Sequence, residues 1–459
     1  MYFAQFNTCV GLDPFRPTGY RFACLTPIFG ECMDAHWLAV YLILAGLVII
    51  ESLLLALQTW EHCRYVRSCM GSIVRHQPEG RVALFAPCKG VDLDLEANLH
   101  ALLEQDYSDY EVTFIVESAE DLACPAIHRA IAEHPNVAAR MVVAGRATDS
   151  GQKVHNLRVA TQHISARIKY LAFVDSDARP RPEWLRMLVS WLDEPGLGAV
   201  TGYRWFTPEK ASVANALVYS MNCDVLSLLT RSSHYLIWGG SWAIRREVFD
   251  AVGLHDAWKG TLSDDLVASR LMRRAGLGVR FEPACVAASP LDQTLGQAMS
   301  FIRRQYVIAR MYTFDWWLFS LVAAMFSNLI WFGNLGVLVL SLVTGSPSPW
   351  IPITISAIFY AVTVYRGWLR QGLVKVYFPN WEKASRRIQR FDIWANPLVE
   401  LAHWLGVSSA AFGRHILWRG IRYRVLSGGQ VQRIIRSDAG RAESDEESDD
   451  DQESDRAAA

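Results

Sequence analysis

The sequence predicts an α/β domain on a mainly parallel sheet, held to a bilayer by transmembrane and interfacial α-helices. Three observations predict it. Strand-like and helix-like segments alternate between residues 80 and 312, long apolar blocks flank that stretch, and several strand-like segments end in carboxylates.

The chain has 459 residues, enough for a full soluble core and further elements. Its hydrophobic residues make up 51%, with 17 tryptophans, and they gather in blocks as well as in periodic patterns. The first block, Trp37 to Leu57, has Glu51 as its only charge and matches the roughly 20 residues of a spanning helix. It starts too far along the chain for a removable signal peptide and has neither a preceding basic region nor a small-residue cleavage site. A retained anchor is therefore expected. Arg64, Arg67 and Arg75 follow it, whereas residues 1–36 carry Arg16 and Arg21 against Asp13, Glu31 and Asp34. The positive-inside bias puts the domain that follows in the cytosol and the 1–36 arm outside.

Within 80–312, "RVALFAPCKG" reads as a strand running into a turn, and "LEANLHALLEQ" has helical apolar spacing. "YEVTFIVES", "RMVVAG" and "IKYLAFVDSD" read as further strands, separated by the helical "PAIHRAIAEH" and "KVHNLRVATQHIS". A βαβα order of this kind implies parallel strands, whose ligands bind beyond their carboxyl ends. Asp175 and Asp177 follow the strand "YLAFV" at such an end, and Glu117 follows "VTFIV" in the same way. Two carboxylates one residue apart repel unless a cation lies between them, and hard oxygen ligands favour Mg2+ or Mn2+, which also carry a diphosphate. The alternative is an Asp that caps the following helix in "RPEWLRMLVSW". A second acidic pair, Asp264 and Asp265, opens an amphipathic segment; it is either an N-terminal capping pair or a source of a general base.

Two more apolar blocks, Trp316 to Val343 and Trp350 to Tyr365, flank the turn "TGSPSP", so a membrane hairpin is expected over 316–366. Arginines precede and follow it, which places both outer ends in the cytosol. The second block is short for a span. Residues 376–436 are expected to hold interfacial or re-entrant helices, with a spanning helix over Phe391 to Trp418 as the alternative. In Phe391 to Trp418 the residues Asp392, Asn396, Glu400 and His403 recur at helical spacing, and "WEKASRRIQR" offers a basic face to anionic headgroups. The tail 437–459 has ten acids and two arginines. Removing its −8 from the whole-chain −1 leaves +7 on the body. The tail has no apolar residue larger than Ala, so disorder is expected, and Ser444, Ser448 and Ser454 are open to phosphorylation. The nine cysteines show no CxxC spacing, which argues against a cysteine zinc site. Cys9, Cys24 and Cys32 lie in the arm placed outside and are free to pair there, whereas the others should stay reduced.

In their order and membrane setting these segments resemble the family 2 glycosyltransferases with a GT-A (Rossmann-like) fold, and more closely the ceramide glucosyltransferases. The resemblance rests on "KGVDLDLEANL", "VES", "SGQKVHNL", "VDSDARP", "WGGSWAIRRE", "LSDDL" and "WRGIRYRVLSGG". It implies that Glu117 lies near the uracil base, that Lys153 and Asn156 line the nucleotide pocket, and that Asp175 and Asp177 hold the metal of the donor diphosphate. It also implies Asp265 as general base beside Asp264, and Trp238, Gly239 and Gly240 at the acceptor site. The family motif Q/R-x-x-R-W is altered here. "FIRRQY" has Phe301 first, Arg304 in the arginine place and Gln305 where Trp is expected, so Arg304 remains available to the diphosphate.

The resemblance implies an inverting, UDP-sugar-dependent transferase that moves a sugar, glucose in the first instance, to the hydroxyl of ceramide or a similar membrane lipid. A processive polysaccharide synthase and a catalytically inactive membrane scaffold are the alternatives. Few spans and a large α/β domain argue against a transporter. Nucleic acid is not an expected partner, because the basic residues gather at membrane edges rather than along an aromatic groove. The expected location is the Golgi membrane in a eukaryote or the inner membrane in a bacterium, with the domain in the cytosol.

Overall fold

The computed structural model describes residues 35–71, 78–231, 236–345, 348–379, 381 and 385–436. The expected outer arm with Cys9, Cys24 and Cys32, and the acidic tail with its three serines, lie outside the described residues.

Helix α1 (Ala35–Gly71) leads into β1 (Arg81–Pro87), α2 (Leu95–Leu103), β2 (Tyr110–Val116), α3 (Cys124–Glu133), β3 (Ala138–Val143), α4 (Gln152–Thr161) and β4 (Ile168–Val174). Each strand and helix read from the sequence in this stretch is present. The chain continues through α5 (Trp184–Val189), β5 (Leu197–Pro208), α6 (Val213–Leu226), β6 (Ser241–Arg245), α7 (Arg246–Ala251), α8 (Leu254–Ala257), α9 (Asp264–Arg274) and β7 (Gly278–Leu291). The strand order is β3-β2-β1-β4-β6-β5-β7. The first four strands are parallel, β6 enters antiparallel between β4 and β5, and β7 pairs in parallel with β5.

Strands β1, β2 and β4 are apolar along almost their whole length because helices cover both faces of the sheet. Leu99 of α2, Ile127 of α3 and Trp184 of α5 pack on one face, and Leu157 of α4, Phe249 of α7 and Val267 of α9 on the other. The carboxyl ends of β1 and β4 are thus held rigidly while their following loops stay free to carry chemistry.

Beyond the sheet come α10 (Leu295–Tyr312), α11 (Phe314–Asn328), a π-helical turn at Leu329–Gly333, α12 (Asn334–Thr344), α13 (Trp350–Gln371), α14 (Val374–Tyr377), α15 (Ser385–Trp394) and α16 (Asn396–Ser409). Among the described residues, two helical stretches are long and apolar enough to cross a membrane: Leu38–Gly71 and Phe314–Val343. Ala45 and Val48 of α1 meet Ile330, Ile355 and Phe359, so α1, α13 and the π-helical turn share a core, while Leu42, Leu47, Leu54 and Leu57 of α1 face outward. Past Leu57, α1 is no longer an isolated span. Cys63 and Val66 are buried, and the Tyr65 hydroxyl donates to Phe281 O in β7 at 2.9 Å.

The stretch from Phe391 to Trp418 departs from the single interfacial helix expected. It breaks at Ala395 into α15 and α16, and then becomes a strand, β8 (His415–Trp418). Its polar residues also face inward: Asp392 is 1% exposed and Asn396 is 4% exposed, whereas Trp394, Leu398, Trp404 and Leu405 are exposed. The reason is an ion network. The Arg370 guanidinium donates to both Asp392 oxygens at 2.7 and 2.8 Å and to Asp224 at 2.5 Å, joining α13, α15 and α6. Of the basic face expected beside it, Arg386, Arg387 and Arg390 are exposed. Asp392→Ala leaves the guanidinium short of a buried partner, and a loss of about 3–5 kcal/mol is expected. Thermal unfolding of the purified variant checks this; an unchanged midpoint would contradict it.

Strands β8, β9 (Ile421–Val425) and β10 (Val431–Arg436) form a small antiparallel sheet from the "WRGIRYRVLSGG" stretch. It packs back on the large domain. Tyr312 OH donates to Gly429 O at 2.8 Å and accepts from Leu262 N and Ser263 N, and the Gln152 N–H donates to Tyr423 OH.

The six cysteines within the described residues, Cys63, Cys69, Cys88, Cys124, Cys223 and Cys285, are free thiols.

Candidate active site

The loop after β4 carries Asp175 and Asp177, and helix α9 begins with Asp264 and Asp265. The two pairs meet at one ammonium. Lys153, from the first turn of α4, lies 2.8 Å from Asp175 Oδ1 and 3.1 Å from Asp264 Oδ1, and donates to Gly239 O at 3.0 Å. Lys153 is thus enclosed by acids. Burial alone would lower its pKa, but Asp175, Asp264 and Asp265 outweigh that and hold it charged well above its ordinary value.

The carboxylates differ among themselves. Burial raises the Asp175 carboxyl, but Lys153 overrides it, so its pKa lies below the ordinary value. Asp177 is raised, chiefly by burial, with Arg204 opposing and Asp175 adding to the rise. Asp264 is pushed up to about 7, first by burial; Lys153 opposes the rise and Asp265 adds to it. Asp265 Oδ2 accepts the Gly239 N–H at 2.8 Å, and its Oδ1 accepts from Ser263 Oγ and Leu266 N. Its carboxylate is therefore fixed in place and yet only half-buried.

Capping accounts for these acids only in part: Asp265 Oδ1 shares the Leu266 N–H with Ser263, but neither Asp175 nor Asp177 caps α5. Ser263 is the N-cap of α9, accepting from Leu266 N, and α5 begins at Trp184 with no side-chain cap. Asp177 Oδ1 is buried with no hydrogen-bond partner, as is Asp264 Oδ2. A buried, unpartnered carboxylate oxygen is costly, and Asp175 and Asp177 together form the donor set that a hard divalent cation would take.

The glycines explain how the strands come so close. A Cβ on Gly240 would meet the Trp238 ring and sit 2.7 Å from Asp175 Oδ2, and one on Gly239 would lie 2.9 Å from Asp265 Oδ2. The backbone itself forms that wall. Gly240→Ala should therefore displace the Trp238 ring and the Asp175 carboxylate and lower activity by roughly 10–100-fold, the scale of a small misplacement of reacting groups. Wild-type turnover in this variant would contradict the packing argument.

These groups line one cavity of about 1400 Å³. Single-ligand pockets are typically about 300–1,000 Å³, so there is room for two substrates. Lys153, Asn156, Asp175, Asp177, Trp238, Gly239, Gly240, Asp264, Asp265 and Arg304 all border it, and so do Trp316 and Ser320 at the start of the apolar helix α11. Asn156 is tied by its Oδ1 to Gln152 at 2.8 Å. Glu117 stands apart. It is 7% exposed, does not line the cavity, and is engaged by Lys89 and Arg436, each at 2.5 Å.

Three contributors were not identified from sequence. Arg204 of β5 reaches Asp177 at 3.6 Å and lies over the Trp238 ring at 5.2 Å. Arg419, in the turn between β8 and β9, donates to Asp92 at 2.5 Å and to Lys89 O at 3.0 Å. An indole does lie against Arg304, but it is Trp418, at 5.6 Å, rather than a residue at 305. The tryptophan expected after Arg304 is replaced in space from the far end of the chain.

The sequence model of glycosyl transferase family 21 matches residues 42–431. Ceramide glucosyltransferase 1 of Caenorhabditis elegans is 28% identical over 121 residues, which cover 26% of this chain and 26% of that protein. Among solved structures, the mannosyltransferase PcManGT of Pyrobaculum calidifontis in complex with GDP-Man and Mn2+ is similar at 16% identity, covering 80% of this chain and 99% of that one, with a TM-score of 0.42. Glucosyl-3-phosphoglycerate synthase of Mycobacterium tuberculosis in complex with Mn2+ and UDP-glucose is similar at 14% identity, covering 53% of this chain and 82% of that one, with a TM-score of 0.34. At these scores the likenesses carry no inference about substrate. The family match and the mainly parallel sheet bear out the expected fold class, a GT-A α/β domain with apolar helices, and the expected resemblance to the ceramide glucosyltransferases.

Proposed function

Because the chain belongs to glycosyl transferase family 21, and is thus a glycosyltransferase, we propose that it transfers glucose from UDP-glucose to the primary hydroxyl of ceramide or a similar membrane lipid, inverting the anomeric centre. The observation that carries this reading is the single cavity, whose lining includes both acid pairs and, from the first turns of an apolar helix, Trp316 and Ser320. A soluble acceptor has no need of that apolar helix. An acceptor with acyl chains stays in the bilayer, and its headgroup must be met there.

In the transfer step, Asp265 accepts the proton of the acceptor hydroxyl as the oxygen bonds to the anomeric carbon and the bond to the diphosphate oxygen breaks. Gly239 N–H and Ser263 Oγ hold that carboxylate in one orientation, leaving its exposed side for the hydroxyl. Lys153 keeps Asp175 and Asp264 together and adds positive charge beside the leaving group. Mg2+ or Mn2+ at Asp175 and Asp177 would neutralise the charge of the departing UDP. One displacement from an α-linked donor gives a β-glycolipid.

The membrane arrangement follows from the same reading: α1 spans the bilayer, the α11–α12 stretch and the returning α13 form the hairpin, the catalytic domain and both outer ends of the hairpin are cytosolic, and the exposed apolar side of α16 lies in lipid. Protease accessibility in sealed, oriented vesicles tests the topology, with cleavage of the catalytic domain expected only from the cytosolic side. Protection on that side would overturn it.

A further inference from the structure

We propose that the turn between β8 and β9 completes an anion subsite, in which Arg419 joins Arg204 and Arg304 on the diphosphate of the sugar donor while Trp418 orients Arg304. This deepens the donor reading above and rests on it.

The three arginines come from three separate parts of the chain, β5, α10 and the small C-terminal sheet, and all line the same cavity. Rings, more than acids, hold two of them. Arg204 lies over Phe206 at 4.8 Å, Trp238 at 5.2 Å and Phe301 at 5.7 Å; Arg304 lies over Phe301 at 5.2 Å and Trp418 at 5.6 Å. Phe301 is thus shared between two guanidinium groups. Stacking fixes a guanidinium plane while leaving its N–H edge free for a ligand.

Arg204 and Arg419 each have a carboxylate partner, Asp177 at 3.6 Å and Asp92 at 2.5 Å, so the unbalanced charge is that of Arg304. Arg304 has no carboxylate partner among the described residues, and its one polar contact is the Leu417 carbonyl at 3.5 Å. Burial, together with the nearby Arg204 and Arg419, pushes it down to about 10. Cations brought together under partial burial call for an anion, and a planar fork suits phosphate oxygens. Arg419 adds a second sign of function. Its φ is 52°, and with Gly420 at 76° it makes the left-handed turn that hairpins normally give to Asn-Gly. A large side chain in that conformation is strained, and such strain gathers at sites where a side chain must be aimed.

The neighbouring acids identify the anion. Burial lowers the Arg419 pKa, but Asp92 first, then Asp177 and Asp175, outweigh it, and any ligand in this cavity meets both the arginines and Asp175 and Asp177. A bare monoanion would be repelled by the carboxylates. A diphosphate that brings its own divalent cation satisfies both sides, and the donor supplies that chemistry. A phosphate on the acceptor lipid is the other source to be separated.

The test uses the purified full chain with the magnesium concentration held constant. Binding of inorganic pyrophosphate and of uridine is measured by calorimetry for wild type, Arg419→Ala and Arg419→Lys, and KM values are measured for donor and lipid. Arg419→Ala should weaken pyrophosphate by about 10–100-fold, the loss of a charge-assisted hydrogen bond, with uridine unchanged and the lysine variant in between. Donor KM should rise and lipid KM stay constant. Equal weakening of both probes, no weakening of either, or a rise in lipid KM alone would overturn the subsite. A wild type that transfers sugar while Arg419→Ala binds pyrophosphate normally sinks only this inference. A wild type that transfers nothing, with pyrophosphate binding still dependent on Arg419, sinks only the proposed function.

Discussion

Asp265→Asn is expected to lower sugar transfer by about 10²–10⁴-fold, the range for removal of a general base, while leaving affinity for the nucleotide sugar near that of wild type. The amide keeps the shape of the carboxylate. One of its two atoms can still accept the Gly239 N–H that Asp265 Oδ2 accepts at 2.8 Å, so the α9 start and the glycine wall should hold. What is lost is the ability to take a proton, together with the contact of Oδ1 to the Leu266 N–H, which Ser263 Oγ still accepts. Steady-state turnover together with equilibrium binding of UDP separates the two effects. Unchanged turnover would remove Asp265 from the base role and shift attention to Asp264, whose Oδ2 is buried and unpartnered.

The second large effect is expected at Asp177. Asp177→Ala should weaken metal-dependent binding of the donor by at least ~100-fold, more than the roughly 10–100-fold typical of a residue that only supports a metal ligand. Binding of UDP measured with and without Mn2+ reads this directly. The metal-dependent increment should vanish in the variant while metal-free binding stays level or improves, because the carboxylate that repels the diphosphate is gone. Normal metal dependence would mean that the unpartnered Oδ1 serves packing and not coordination.

Much of this site was legible in the sequence for identifiable reasons. Strands β1 to β4 are buried on both faces and read as short apolar runs, and their parallel order puts Asp175 and Asp177 where ligands bind. The capping alternatives for the acids were resolved only by the structure, because a cap depends on which oxygen meets which N–H, and Ser263 takes that role in α9. Strands β5, β6 and β7 were not read individually. The reversal of β6 has no local signature, and the long β5 and β7 pair only with partners distant in sequence.

The C-terminal stretch shows the same limit. Asp392, Asn396 and His403 suggested a polar outer face, since periodicity gives spacing and not direction; Arg370 on another helix turns Asp392 inward. Likewise, Gln305 left the arginine of the altered motif without its expected tryptophan, and no local pattern could reveal that Trp418 arrives from the small sheet. Glu117, read as a residue near the base, is enclosed by Lys89 and by Arg436 of β10, a strand absent from the sequence reading.

The proposed activity is single transfer from a UDP-sugar to a membrane lipid. It is tested most directly by incubating the full chain in membranes with a panel of radiolabelled UDP-sugars, adding ceramide and diacylglycerol separately, with and without Mg2+ or Mn2+. The predicted result is one labelled glycolipid, formed from UDP-glucose and ceramide only when the divalent ion is present. Label confined to polymer, or no label from any donor, would contradict it.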